Sequence, residues 1–282
     1  MRHEPQHLMT ARTTRRVGSM HLVRQSLRVA ASLTLLAATA GAQESSTWEW
    51  SGTLGAGRTV YVHNVNGAVR IEAGDGNTVA VRAVKRWRRG NPERVRIEAR
   101  MSSGGSGDVI ICALNTPRAT CDADGIHGNS DRSGNRDNDV SVEFVIQVPA
   151  SADVEANTVN GELAIRDMQG DVRAKTVNGD IDARSTAGRV WANTVNGSIT
   201  VAGVIDGGGV EYGTVNGSIT IELPADANAR VDLSTVNGRI ATEFPITFDG
   251  TIDLRRVRAD IGAGGGTLKA RTVNGGIRLR RI

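Results

Sequence analysis

From residue 154 to the C-terminus, apolar and polar residues alternate in runs of four or five, break, and alternate again. Val172-Arg173-Ala174-Lys175 and Ile181-Asp182-Ala183-Arg184 are two such runs. Period-two alternation over so short a length marks half-buried β-strands. The breaks share one tetrapeptide, Thr-Val-Asn-Gly, with its Thr at 158, 176, 194, 214, 235 and 272, and a related His63-Asn64-Val65-Asn66-Gly67 stands upstream. Internal repetition of this kind signals a stacked repeat architecture. A degraded copy, Arg256 to Ile261, divides the long gap before Thr272, so that seven coils fit residues 154–282.

Asn-Gly between strands supplies the positive φ angles of a tight corner. It also suits antiparallel hairpins, which makes stacked hairpins the rival arrangement. Identical side chains recur here once per coil, which favours like stacked on like about 4.8 Å apart. The reading is therefore all-β: a parallel β-solenoid, or β-helix, of about seven short coils with an N-terminal β-rich cap. Its inward columns are Val154, Val172, Val190, Val210, Val231, Ile252 and Leu268 before the corner, and Leu163, Ile181, Ile199, Ile219, Ile240, Ile261 and Ile277 after it. Val177 falls on the opposite parity from Ala174, which predicts a bend between them. Asn160, Asn178, Asn196, Asn216, Asn237 and Asn274 would form a structural amide ladder, and the threonines could pair hydroxyls.

Two outward faces follow. Beside the first column stand Glu155, Arg173, Trp191, Glu211, Asp232, Asp253 and Lys269, a charged row interrupted by one aromatic. Beside the second stand Ala164, Asp182, Thr200, Thr220, Ala241, Gly262 and Arg278, a flatter and mostly uncharged row. An exposed aromatic flanked by hydrogen-bonding groups is a natural contact point for a sugar ring or a protein surface. Trp191, Arg173 and Glu211 are thus the first candidate site, and the Thr200, Thr220 face is the second.

Residues 47–101 alternate around Trp48, Trp50, Val60, Val62, Val69, Ile71, Val79 and Val81, and read as strands that cap the solenoid. Residues 102–139, rich in Gly, Ser, Asn and Asp, read as a long loop. Cys112 and Cys121 within it are expected to form one local disulfide, because the chain reads as exported, and their spacing is not that of a C-x-x-C redox pair. Asp122, Asp124, Asn129, Asp131, Asp137, Asn138 and Asp139 are oxygen ligands of the calcium-binding type, but their spacing fits neither an EF-hand nor a β-roll repeat. No metal and no cofactor is expected.

The first 42 residues carry six basic residues and one acid, then an apolar run from Val29 to Ala40 and the small-x-small sequence Ala40-Gly41-Ala42. This reads as a secretory signal, with Met20 as a second candidate start and with residues 43–153 and 154–282 as cap and solenoid of one continuous domain. Taking six from 34 basic and one from 30 acidic residues leaves 28 against 29, so the basic pI describes the leader rather than the exported part. That balance lacks the basic footprint of a nucleic-acid binder. No segment after the leader has 18 uninterrupted apolar residues, and none is expected to span a membrane. Nine aromatic residues, 3% of the chain, imply a narrow aliphatic core. Catalytic signatures such as G-x-S-x-G and the phosphate-binding G-x-x-x-x-G-K-[ST] are absent, so the chain is not expected to be an enzyme.

The Trp48-Glu49-Trp50-Ser51-Gly52 opening, the Val145-Ile146-Gln147-Val148-Pro149-Ala150 lead-in and the Thr-Val-Asn-Gly-x-Ile copies resemble the bacterial family of putative adhesins built from β-strand repeats. The resemblance covers nearly all of residues 47–282, with Glu222-Leu223-Pro224-Ala225 and Ile261-Gly262-Ala263-Gly264-Gly265 in the family's order. It implies an exported protein of the periplasm or cell surface with a β-helix-like fold and no catalytic motif. The expected function is a non-catalytic binding or adhesion module whose partner is an envelope protein or glycan. A periplasmic stress-sensing or scaffold protein and a carbohydrate-active enzyme using the charged face are the alternatives.

Overall fold

The structure, a computed structural model, describes residues 43–102, 107–128, 138–247 and 255–282. Residues 1–42, expected to be a secretory leader, and Asn129, Asp131, Asp137, Ile252 and Asp253 lie outside the described residues.

Two sheets face each other across the aliphatic core, one built from the strands that precede each Thr-Val-Asn-Gly corner and one from the strands that follow it. The pre-corner sheet has eleven strands and the post-corner sheet ten. Within each, the repeat strands pair in parallel: Val154 with Val172, Val172 with Val190, Leu163 with Ile181, Ile181 with Ile199, and Ile199 with Ile219. Parallel pairing excludes the hairpin alternative and makes a β-solenoid. Val154, Val172, Val190, Leu163, Ile181, Ile199 and Ile219 are all buried. Tyr212 and Phe144 are the largest buried side chains, so aliphatic residues do most of the filling.

The coils number and order differently from the pattern read along the chain. Residues 154–282 supply six coils, and a seventh comes from upstream, where Thr59–His63 and Val69–Gly74 pair in parallel with Asp153–Asn157 and Leu163–Met168. Arg256–Ile261, expected as a degraded coil, runs antiparallel to Ala229–Asn237, so that Ile261 lies opposite Ala229 instead of joining the post-corner column. After Leu223 the chain skips one strand position, and residues 267–281 return to fill the gap. Leu268 therefore sits between Val210 and Val231, and Ile277 between Ile219 and Ile240.

The corner has a different basis from the one expected. Among the five repeat glycines inside the stack, Gly161, Gly179, Gly197 and Gly217 do not adopt positive φ, whereas Gly275 does. Glycine is required because successive corners touch: a Cβ on Gly179 would overlap the carbonyl oxygen of Gly161. The strand ends at Lys175, Thr176 turns inward and Val177 is 39% exposed, which is the expected bend.

The threonines bond across coils without pairing with one another. Thr176, Thr194 and Thr214 donate their hydroxyls to the carbonyls of Gly161, Gly179 and Gly197 at 3.1, 3.0 and 2.9 Å. The asparagines form a ladder in spatial order, each Nδ2 donating to the preceding Oδ1: Asn160 to Asn66, Asn178 to Asn160, Asn196 to Asn178, Asn216 to Asn196, Asn274 to Asn216 and Asn237 to Asn274, at 2.7–2.8 Å.

Thr158 is the exception in its column. Its buried hydroxyl has no hydrogen-bond partner among the described residues, and Asn64 Nδ2 already donates to the Gly67 carbonyl. Thr194→Val should cost about 1–2 kcal/mol because it leaves a corner carbonyl without its donor, whereas Thr158→Val should be neutral or stabilising. Urea unfolding of the two variants checks the difference.

Candidate functional site

Trp191, Arg173 and Glu211 come together on the outer side of the pre-corner sheet. Glu155, Arg173 and Trp191 are directly in register, and the next ladder begins at Ala192 opposite Tyr212, which brings Glu211 beside Trp191. Trp191 is half-buried instead of projecting freely. Arg173 Cζ lies over its ring, 4.3 Å from the centroid, and Arg189 Cζ lies 4.9 Å from it. The ring is thus engaged by two guanidinium groups, a geometry that favours cation–π attraction.

The two arginines are in different situations. Arg189 Nη2 donates to Asp171 Oδ2 at 2.7 Å, and Asp206 lies 3.8 Å from its Nη1. Burial works to raise the Asp171 carboxyl, but the Arg189 hydrogen bonds outweigh it and hold the carboxyl below its usual range. Arg173 makes no hydrogen bond or ion pair to any described residue, so its N–H donors remain available while its plane is tethered to Trp191. Glu211 is exposed and likewise has no partner among the described residues. Arg189 was not legible as part of this set, because it lies before the alternating run and its role depends on reaching back over Trp191.

Thr200 and Thr220 are adjacent in register on the opposite sheet, so the two candidate faces cannot contact one small ligand together. Their surroundings are more charged than expected. Because residues 277–281 insert after Ile219–Leu223, the row runs Asp182, Thr200, Thr220, Arg278 before it reaches Ala241. Gly262, also expected in this row, follows the antiparallel Arg256–Ile261 strand and is not part of it. Asp182 accepts from Arg166 at 2.6 Å and from Arg184 at 3.0 Å.

The expected loop at 102–139 contains a buried strand, Val109–Leu114, parallel to Thr59–His63. It does not alternate because both of its sides are covered, the outer one by the hairpin of Thr120–Asp122 and Gly125–His127. Cys112 and Cys121 form a disulfide with their Cα atoms 6.6 Å apart, tying this hairpin to the sheet. Two of the acidic residues there, Asp139 and Asp122, bond to protein groups. Asp139 accepts from the backbone N–H of Gly90 at 2.7 Å and also from Arg88 and Arg89, and these bonds, Gly90's foremost, hold its carboxyl below the usual range. Asp122 lies 2.7 Å from His127 Nε2. Among the described residues, no group of three or more His, Cys, Asp or Glu side chains is placed to hold a metal.

The hairpin also buries His63, the first residue of the upstream corner motif. It is 3% exposed, its Nε2 has no hydrogen-bond partner among the described residues, and its Nδ1 is 3.4 Å from Asn157 Nδ2. Burial pushes its pKa below 6.5, outweighing the charge of Glu155 and the nearby backbone of Ala123 and Asp122.

The chain belongs to the Toastrack DUF4097 family, whose match spans residues 58–280. Among solved structures it is similar to a putative cell adhesion protein from Clostridium sporogenes, at 13% identity over 84% of this chain and 100% of that one, with a TM-score of 0.43. A putative adhesin from Bacteroides fragilis is similar at 10% identity over 84% of this chain and 97% of that one, with a TM-score of 0.38. No curated protein matches the chain. Among the described residues, no helix is long and apolar enough to cross a membrane.

The state of His63 yields a pH test. Its folded pKa lies below the unfolded value of 6.5, so the unfolded chain takes up the proton first as pH falls. The stability from keeping the imidazole neutral is complete above about pH 6.5 and declines below it, towards the lower folded pKa. Urea midpoints measured from pH 7.5 to 5 should fall for the parent protein and change much less for His63→Gln.

Proposed function

We propose that this chain is an exported, non-catalytic binding module of the cell envelope or cell surface, with residues 1–42 as its cleaved leader and residues 43–282 as one continuous domain. Its contact face is the outer side of the pre-corner sheet at Arg173, Trp191 and Glu211, and its partner is an envelope glycan or protein. The observation that carries this reading is the tethered but unpaired Arg173 guanidinium. Held over Trp191, it presents N–H donors at a fixed place with reduced entropy to lose on binding. Glu211 on the neighbouring strand supplies an acceptor, so the patch matches a partner with both hydroxyl or carboxylate acceptors and hydroxyl or amide donors. Trp191 acts as the platform for the arginine; an open stacking surface for sugar is not required.

Spacing speaks against the carbohydrate-active enzyme. Glu155 and Glu211 are three strands apart, about 14 Å along the sheet, beyond the separation at which two carboxyl groups share a glycosidic bond. Glu155 is also 3.9 Å from Lys175 and accepts from Asn157. A scaffold role would use the same face with a protein partner.

Glycan-array and envelope-protein binding should fall at least tenfold in Arg173→Ala and Trp191→Ala, and less in Glu211→Ala, with folding unchanged by circular dichroism. A Thr200→Arg, Thr220→Arg double variant should bind normally. Loss in the threonine variant with full binding by Arg173→Ala would move the site to the other sheet. Release of reducing ends that disappears in Glu211→Ala would replace the module with an enzyme.

A further inference from the structure

A cavity of about 490 Å³ opens on the post-corner side, where the ends of the Ile199–Ala202 and Ile219–Leu223 strands pass into loops. Its apolar surface comes from Ala202, Val204, Ile205, Leu223, Pro224 and Ile282. Val204 is 38% exposed and Ile282 65%, so the fold leaves apolar side chains uncovered at this mouth. The volume lies in the range of small-molecule sites.

Charge around the cavity is asymmetric. Glu222, 8% exposed, forms part of the wall and is paired with both Arg184 and Arg280, while Arg184 also bonds Asp182, which in turn accepts from Arg166. The cations in and behind this wall therefore have carboxylate partners. Asp167 and Asp226, which also line the cavity, have carboxylates with no hydrogen bond or ion pair to a described residue. The register shift between Ile165 and Met168 turns Asp167 out of the ladder, with φ 60°. The lining thus carries three carboxylates, Asp167, Glu222 and Asp226, against the one guanidinium of Arg184, and the two solvent-exposed aspartates make the rim of the apolar floor complementary to a cation.

We propose that this cavity binds a small soluble amphipathic cation: an aliphatic body on the Ala202, Leu223 and Ile205 floor, and an ammonium group between Asp167 and Asp226. This site lies on the opposite sheet from Arg173 and does not depend on the binding reading given above.

Octylamine, octanol and octanoate provide matched probes that share one chain and differ in head-group charge. Titration of methyl-labelled protein should give saturable shifts at Ala202, Val204 and Leu223 with octylamine, at least tenfold tighter than with octanol and absent with octanoate. An Asp167→Asn, Asp226→Asn double variant should lower octylamine affinity to that of octanol and leave octanol unchanged. Asparagine tolerates the left-handed backbone required at 167, so this variant should retain the fold. Ala202→Leu should occlude the floor and abolish both octylamine and octanol binding; if it fails to fold, the double variant decides alone. Equal binding of octylamine and octanol in the parent protein, preferential binding of octanoate, shifts confined to other residues, or an amine preference that survives loss of both carboxylates would overturn the proposal.

Discussion

The structure depends on how closely one corner can approach the next. Each coil must place its Asn-Gly peptide against the same peptide of its neighbour, so that the side-chain amide, the backbone and the threonine hydroxyl all bond within one strand spacing. Glycine makes that approach possible. The corner carbonyl of Gly161 would collide with any side chain at 179, and Gly179 stands in the same relation to position 197. Asparagine then converts the contact into a continuous ladder from Asn66 to Asn237, and its donor and acceptor ends match every neighbour without any other residue type.

Register fixed at the corner propagates along both strands of each coil. Valine and isoleucine columns face one another across a thin core, with alanine at positions 156, 174 and 192 leaving room that Tyr212 occupies farther along the stack. The same locking makes the outward residues into fixed rows. Several charges in those rows find partners one strand away, such as Glu155 with Lys175, Asp232 with Arg258 and Asp182 with Arg166. Arg173, Glu211, Asp167 and Asp226, like Lys269 and Arg278, make no such pair among the described residues and remain available.

From Val154 to Leu223 the strand positions, inward columns, bend at Val177 and asparagine stacking were legible, since each follows from local alternation and a repeated corner. The order of the last coils was not. Identical motifs stack equally well in any order, so Thr235 and Thr272 carry no mark showing which lies next to Thr214; the connection through Pro224–Asn228 and the antiparallel Arg256–Ile261 strand decides it. Val109–Leu114 was hidden for the opposite reason, because burial on both sides erases the alternation that reveals a strand. The Trp191 patch could be found from its column, but the two arginines over its ring could not. The cavity had no signature at all, as strand ends and loops from four coils, together with Ile282, form its walls.

The central claim is that one asparagine ladder orders the stack and places the last repeat inside it. Side-chain amide contacts measured by NOESY on protein labelled at asparagine test this directly. The account predicts contacts from Asn274 to both Asn216 and Asn237, with none between Asn216 and Asn237. A contact between Asn216 and Asn237, with Asn274 touching only Asn237, would mean that the coils stack in chain order and would contradict it.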